Sequence, residues 1–397
     1  MSSAFGHKIR TLLRGQRQTL DAEHKGLLES LHGAVWIHCA SVGEFEQARP
    51  LIERLKVQGE RLKVVVTFFS PSGYEARKNY DKADAVLYLP LATRRHAKQF
   101  LEALQPKMAL FVKYEFWPAY LKELNKRGIP TYSISAIFRP TQRFFHWYGA
   151  SSLRLLQLFT HIYVQDEASR RLLAEHGVHN ASVAGDTRFD RVAEVKSERV
   201  KELTNDRLLP VAHFVEGCER VIVAGSTWPK DEELFVRYID EHPDTKLILV
   251  PHEIDEAHLH FIFNLFKGRF VRYSSTTPSS MIHARVLLID TMGLLSSIYR
   301  FGHVAYIGGG FGVGIHNTIE AAVYGVPVLF GPNYEHFREA KGLLDAGAAR
   351  SIKDYSELEA ALETAFEQHE TIGAKAAEYV ESELGATAKI CKEIFAL

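Results

Sequence analysis

The residues best suited to chemistry gather around one run of glycines. A predicted strand, His303–Ile307, leads into Gly308, Gly309, Gly310, Phe311, Gly312, Val313 and Gly314, and His316-Asn317-Thr318-Ile319-Glu320 then opens a predicted helix. Glycine lets the backbone approach a ligand closely and adopt positive φ. A helix start offers unpaired N–H groups and partial positive charge to a phosphate. The run is neither a dinucleotide GxGxxG nor a phosphate-binding loop ending in Lys-Ser/Thr. Glu320 stands four residues after His316, so the two share one face of the predicted helix. A carboxylate there suits ribose hydroxyls, and His316 and Asn317 in the first turn suit phosphate. The plain alternative is a solvated Glu320 and a capping His316. The strand and turn that follow, Gly325-Val326-Pro327-Val328-Leu329-Phe330-Gly331-Pro332, favour the nucleotide reading.

These residues need a scaffold, and the rest of the chain supplies the pattern for one. Apolar runs at Val35–Ala40, Lys63–Phe68, Ala85–Leu89, Met108–Val112, Thr131–Ser135 and Ile162–Val164 read as strands, with helix-period segments between them. Runs this uniformly apolar indicate parallel strands covered on both faces. The pattern resets after Arg188, passes a charge-rich helical stretch at Glu194–Asn205, and resumes at Val221–Ala224, Lys246–Val250, Arg285–Ile289, His303–Ile307 and Pro327–Phe330. From Tyr355 onward two more helices are expected, broken at Gly385. The reading is α/β, with two Rossmann-like doubly wound domains, 1–205 and 206–397, the last helices crossing back to the first domain. Ligands of such sheets sit at the carboxyl ends of the strands. Two such domains facing across a cleft are the logic of the GT-B glycosyltransferases, although two-domain dehydrogenases and epimerases share the same spacing.

Composition narrows the function classes. In 397 residues, Lys+Arg and Asp+Glu are both 48, a zero net charge that argues against a nucleic-acid binder. Cys39, Cys218 and Cys391 form no CxxC pair, which fits a reduced compartment and gives no zinc site or disulfide framework. The 19 histidines show no metal motif, and His258 and His260 flank Leu259 and point apart on a predicted helix, so no metal is expected. No run reaches the roughly 18 apolar residues of a membrane span. The segment Met1–Leu20 lacks a signal-peptide core. It interleaves His7, Lys8, Arg10, Arg14 and Arg17 with Ile9, Leu12 and Leu13, a pattern that serves either a solvated helix or one lying on an anionic membrane surface.

Taken together, the motifs resemble one family, the Kdo (3-deoxy-D-manno-octulosonic acid) transferases. The glycine run with His316-Asn317-x-x-Glu320 and the Gly325–Pro332 segment resemble its C-terminal motif. So do Ala224-Gly225-Ser226-Thr227, Val250-Pro251-His252 and Asp290-Thr291-Met292-Gly293. In the first half, Trp36-Ile37-His38-Cys39-Ala40-Ser41-Val42-Gly43-Glu44, Lys113-Tyr114-Glu115-Phe116-Trp117-Pro118 and Ala184-Gly185-Asp186-Thr187-Arg188-Phe189-Asp190 match in order. The chain departs twice. No apolar anchoring segment precedes the first strand, and Pro251-His252-Glu253-Ile254 stands where relatives carry Pro-Arg-His-Pro.

The resemblance implies inverting, metal-independent transfer of Kdo from CMP-Kdo to the glucosamine 6′-hydroxyl of a lipid A precursor, at the cytoplasmic face of a bacterial inner membrane. The chain would bind that membrane peripherally through its N-terminal face, and no cofactor is expected beyond the donor. Such a transfer needs a base, donors for the leaving phosphate and alignment of the two substrates. Glu44, after a strand and a glycine at a helix start, is the candidate base. Gly308, Gly309, Gly310, His316 and Asn317 are assigned to phosphate, with Ser226 and Thr227 as hydroxyl donors. Glu320 is assigned to ribose, Met292 and Gly293 to the cytosine, and Pro251 and His252 to the donor site. Ser41, Gly43, Arg49, Lys113, Glu115 and Arg139 are assigned to the acceptor, Glu115 either binding sugar hydroxyls or pairing with Lys113. Phe138, Phe144, Phe145, Trp147 and Tyr148 divide between core and acyl contact. A UDP-sugar transferase or UDP-sugar 2-epimerase is the alternative enzyme, and a non-catalytic sugar-nucleotide or glycolipid binder the alternative class.

Overall fold

The computed structural model describes residues 2–58, 62–201, 206–276 and 284–395. Two compact units form: Met1–Arg191 with Glu383–Leu397, and Val192–Ser382. Each is built on one seven-stranded sheet whose paired strands are all parallel.

The first sheet contains β1 (Val35–Cys39), β2 (Val64–Phe68), β3 (Ala85–Tyr88), β4 (Met108–Val112), β5 (Thr131–Ala136), β6 (His161–Val164) and β7 (Ala181–Val183), in the spatial order β3-β2-β1-β4-β5-β6-β7. Strands β1 and β2 are buried along their whole length, as expected when helices cover both faces. Trp36 on β1 anchors the core on one side of the sheet against Phe100, Phe111 and Tyr120, with ring centroids 5.1, 5.2 and 5.5 Å away. Phe45, Leu51, Ile52 and Leu55 of the helix Val42–Gln58 fill the core on the other side.

The second sheet contains β8 (Val221–Thr227), β9 (Lys246–Pro251), β10 (Val271–Arg272), β11 (Val286–Leu288), β12 (Val304–Ile307), β13 (Val328–Phe330) and β14 (Ala349–Ser351), in the order β10-β11-β9-β8-β12-β13-β14. The edge strands β7, β10 and β14 are two or three residues long, too short to show a period in sequence.

Two features differ from the sequence reading. The units divide at 191/192, within the helix Thr187–Lys201, rather than at 205/206; residues 202–205 of the expected charge-rich helix lie outside the described residues. The tail holds three helices, Tyr355–Glu367, His369–Ser382 and Ala386–Phe395. Gly385, with φ 107°, separates the last two, and the final helix joins the first unit. Asp190 ties it there: its carboxylate accepts the Gly385 and Thr387 N–H groups, both at 2.7 Å, and Ile390 and Cys391 are fully buried beside the Val42–Gln58 helix.

Asp190 thus satisfies donors that a helix start leaves unpaired. Asp190→Ala is expected to cost about 1–2 kcal/mol and to speed amide hydrogen exchange across 386–395 well before the rest of the unit. Unchanged exchange there would show that apolar packing alone holds this helix.

Candidate functional site: two strand-end clusters

In each sheet the winding reverses between two neighbouring central strands, β1 and β4 in the first, β8 and β12 in the second. Their carboxyl ends are where an open parallel sheet binds ligands, and Ser41, Gly43, Glu44, Lys113, Glu115, Ser226, Thr227 and the glycine run stand at them.

In the first unit, Ser41, Gly43 and Glu44 follow β1, and Lys113 and Glu115 follow β4. Glu44 lies in the first turn of the Val42–Gln58 helix. Ser41-x-x-Glu44 has the pattern of a helix capping box. The Ser41 Oγ accepts the Glu44 N–H at 3.4 Å, but the Glu44 carboxylate turns back one residue further, accepting the Ala40 N–H at 2.6 Å. Burial first, and then the charge of Glu115, push the Glu44 carboxyl up to about 7 against the pull of the Ala40 N–H and of Lys113. Such a carboxyl is partly ionised at neutral pH, which suits a general base.

Lys113 takes the left-handed conformation, φ 54°, as the chain leaves β4. Glu115 accepts the Trp117 indole N–H at 2.5 Å and lies 3.2 Å from His38 Nε2, which joins it to these two rings. Arg139 follows β5, its guanidinium 3.3 Å from the Tyr114 hydroxyl. Arg49 lies on the same helix as Glu44. Five residues on from Glu44, it is turned by about 140° around the helix. There it pairs with Glu53 at 2.6 Å and Glu46 at 3.7 Å and lies over the Tyr80 ring, so its charge is engaged within the protein rather than directed with Glu44. Of the five aromatic residues, Phe138 and Phe144 are core, Phe145 is half-buried, and Trp147 and Tyr148 are 94% and 59% exposed.

In the second unit the glycine run is packed at backbone level. A Cβ on Gly308 would lie 2.2 Å from the Ser226 carbonyl oxygen, and one on Gly310 would lie 2.6 Å from the Gly331 Cα. Two of the three expected phosphate amides are already committed. The Gly308 N–H donates to the Gly225 carbonyl at 2.9 Å and the Gly309 N–H to Asp231 at 3.0 Å. The Asp231 carboxylate, 1% exposed, also accepts the Tyr306 hydroxyl at 2.6 Å and the Trp228 N–H at 2.9 Å. Asp231 therefore pins the β8 and β12 ends together, a role no local pattern announces. Thr227 is likewise engaged: it is buried, and its hydroxyl donates to buried Glu232 at 2.9 Å, with His258 Nε2 3.1 Å from the other Glu232 oxygen. Ser226, with φ 54°, is half-buried.

The expected helix after the glycines is a single turn, Ile319–Ala322, with His316 in the irregular segment before it. His316 and Glu320 therefore do not share a helix face. Glu320 instead accepts the Asn317 amide N–H at 2.9 Å, and the Asn317 Oδ1 is buried with no hydrogen-bond partner among the described residues. His316 belongs to an aromatic group. His252, following Pro251 at the end of β9, stacks on both Trp228 and His316, with centroids 4.9 and 4.3 Å away and planes within 26° and 22°. An indole N–H only donates, and that of Trp228 points at His316 Nε2 from 3.3 Å. The contact assigns the neutral His316 proton to Nδ1. Burial first, then His252, push the His316 proton affinity down to about 4, so the ring is neutral at physiological pH. Met292 is 70% exposed beside Gly293, φ 82°, in the loop after β11. Among the described residues, no three His, Cys, Asp or Glu side chains form a metal-binding group.

The two doubly wound parallel sheets define an α/β protein of the GT-B class. The UDP-GlcNAc 2-epimerase of Neisseria meningitidis bound to UDP-GlcNAc superposes with a TM-score of 0.66 at 17% identity, covering 92% of this chain and 100% of that one. The corresponding epimerase of Methanocaldococcus jannaschii gives 0.61 at 15%, over 88% and 99%. Residues 13–191 match the family model for 3-deoxy-D-manno-octulosonic-acid transferase (kdotransferase). The 3-deoxy-D-manno-octulosonic acid transferase of Aquifex aeolicus is 28% identical over 84% of this chain and 86% of that protein, and that of Haemophilus influenzae 27% over 77% and 72%. A bifunctional glycosyltransferase/methyltransferase of Fusobacterium nucleatum is 26% identical over 83% of this chain, which spans about half, 52%, of that protein. The chain is thus similar to Kdo transferases over most of its length, and residues 13–191 match that family's model.

The depressed His316 value makes stability depend on pH. An unfolded histidine titrates near 6.5 and the folded one near 4, so between these values the unfolded chain binds a proton that folded His316 refuses. Stability falls as pH drops through that window, and His316→Gln should flatten this part of the denaturation-midpoint curve. Equal slopes in both proteins would contradict a neutral buried ring. In Trp228→Phe, the fixed tautomer should be lost, seen as mixed Nδ1–H and Nε2–H signals for His316 in ¹⁵N spectra.

Proposed function

We propose that the protein transfers Kdo from CMP-Kdo, with inversion and without a metal ion, to the 6′-hydroxyl of a lipid A precursor. The observation that carries this reading is Glu44, a carboxyl held near neutrality at the β1/β4 switch point of the unit that matches the family model. Its carboxylate takes the proton of the acceptor hydroxyl. The oxygen attacks the anomeric carbon of Kdo, the bond to the phosphate oxygen breaks, and CMP leaves with the electron pair. Ser41, Gly43, Lys113 and Arg139 serve the acceptor in this unit.

The second unit serves the donor. The leaving phosphate is met by the Gly310 backbone and by the His316 Nδ1–H, a neutral donor that stabilises charge without giving up its proton. The buried Asn317 Oδ1 accepts from a nucleotide hydroxyl or amine, Glu320 binds ribose, and Met292 and Gly293 border the base. His252 caps this group by stacking.

The acceptor is a glycolipid, so the enzyme works at the cytoplasmic face of the inner membrane. Among the described residues no helix is long and apolar enough to cross a membrane. The helix Ser2–Gln18 exposes Ile9 and Leu13 together with Arg10, Arg14 and Arg17, while Gln16 is buried and Gly15 abuts the Tyr88 ring. This face is proposed to lie on anionic lipid; the side chains of His7 and Lys8 lie outside the described residues.

The test is incubation with lipid A precursor, CTP, Kdo and a CMP-Kdo synthetase, the products weighed by mass spectrometry. Addition of Kdo mass is expected, and CMP should compete for the donor site better than UDP. A clear UDP preference would defeat the donor assignment and favour a UDP-sugar enzyme. Glu44→Gln keeps an oxygen for the Ala40 N–H and removes the base, so turnover should fall about 10²–10⁴-fold with the fold intact. Because the carboxylate form is the active one, the rate should climb as pH rises through about 7.

A further inference from the structure

Among the described residues of the first unit, Trp147 is the most exposed large apolar side chain, and it lies in the loop after β5. A single exposed apolar residue is ordinary. This one is held out by a built platform. Phe144, in the turn Arg143–Phe145, is buried, its ring 5.4 Å from that of Phe116 and 6.1 Å from that of Phe138. Phe145 packs on the His176 ring at 4.8 Å. The chain then doubles back. The Gly149 N–H donates to the His146 carbonyl at 2.7 Å, and a Cβ on Gly149 would lie 2.2 Å from the Arg143 carbonyl oxygen and 2.4 Å from that of Phe144. His146 stacks on Tyr148 at 5.3 Å, and Tyr148 meets the Trp147 ring edge-on at 5.5 Å. The outward rings thus leave the surface from a backbone fixed on both sides.

The charge around this loop is one-sided. The whole chain has 48 acidic and 48 basic residues, yet residues 124–165 contain no Asp or Glu. Arg139 and Arg143 lie in the loop, and Arg154 in the helix that follows it, Ala150–Leu156. Arg143 and Arg154 are exposed, and neither has an acidic partner among the described residues. Trp and Tyr rings favour the boundary between lipid headgroups and acyl chains, which takes an apolar body together with a polar N–H or O–H. Unpaired cations favour a negative surface. A neutral partner would cover the rings and leave the arginines without counter-charge.

We propose that this loop is a membrane contact: Trp147 and Tyr148 enter the headgroup boundary of an anionic bilayer, and Arg143 and Arg154 lie against its phosphates. The loop stands at the carboxyl end of the first sheet, the end that carries Glu44. Arg139, near its start, is 3.3 Å from the hydroxyl of Tyr114, the residue after Lys113. A glycolipid in that bilayer would be presented to this end of the sheet. The contact is separate from the Ser2–Gln18 helix, whose Gly15 abuts Tyr88 on the edge strand β3.

The test uses the full chain and vesicles of phosphatidylglycerol and phosphatidylcholine. The vesicles hold no acceptor glycolipid, so the outcome is independent of the transfer reaction and of Glu44. Trp147 is one of four tryptophans, and the Ser2–Gln18 helix contains none. With lipids brominated near the top of the acyl chains, tryptophan emission should be quenched, and Trp147→Phe should lose most of that quenching. Trp147→Ala removes no core contact and should weaken partitioning about tenfold. Arg143→Gln combined with Arg154→Gln should lessen the dependence on phosphatidylglycerol content and on salt. Equal quenching with and without Trp147, or unchanged partitioning of Trp147→Ala, overturns the proposal. Equal binding to phosphatidylcholine alone overturns the anionic surface. If Trp147→Ala partitions normally but shows a raised KM for acceptor dispersed in detergent, the rings meet the acceptor itself and the membrane contact is refuted.

Discussion

Where a parallel sheet reverses its winding, the two central strands send their connections to opposite faces, and no crossover covers the gap between their carboxyl ends. Each unit has that gap once, at β1/β4 and at β8/β12, and Glu44 and the glycine run lie at it. Strand ends there carry peptide groups that the sheet no longer pairs. The two units occupy the gap differently. The first fills it with side chains, Glu44 and Glu115 above a buried histidine. The second fills it with backbone, drawn so tight that β8 and β12 tolerate only glycine at 308 and 310.

A gap lined by backbone needs something to hold its shape. In the second unit this is the Asp231 carboxylate, whose three donors come from β12, the glycine run and the start of the next helix. A buried carboxylate is costly unless its oxygens are satisfied, and this one is satisfied only when those three segments meet. The same reasoning explains why Glu44 and His316 both favour their neutral forms: each is withdrawn from water, and each faces a neighbour of its own kind, Glu115 or His252. Partial burial thus yields a carboxyl that releases its proton near neutral pH and an imidazole that does not take one up.

The uniform apolar runs of β1, β2, β4, β8 and β12 could be read directly, because strands covered on both faces leave no polar alternation. The edge strands β7, β10 and β14 could not, since two or three residues carry no period. A strand followed by Gly43 placed Glu44 at a helix start from local order alone. The same kind of local order misled at His316 and Glu320, where the helix begins only at Ile319.

The amino-acid order by itself determined the class of fold, the strand–glycine junctions and the resemblance to Kdo transferases, because all three are written in short-range periods and contiguous motifs. The tertiary structure alone decided which groups meet: His38 with Glu115 across 77 positions, Trp228 with His316 across 88, and Asp231 with Gly309 across 78. The physical reason is that a hydrogen bond forms between atoms about 3 Å apart. Crossover connections bring strand ends to that distance from parts of the chain that local patterns treat as unrelated.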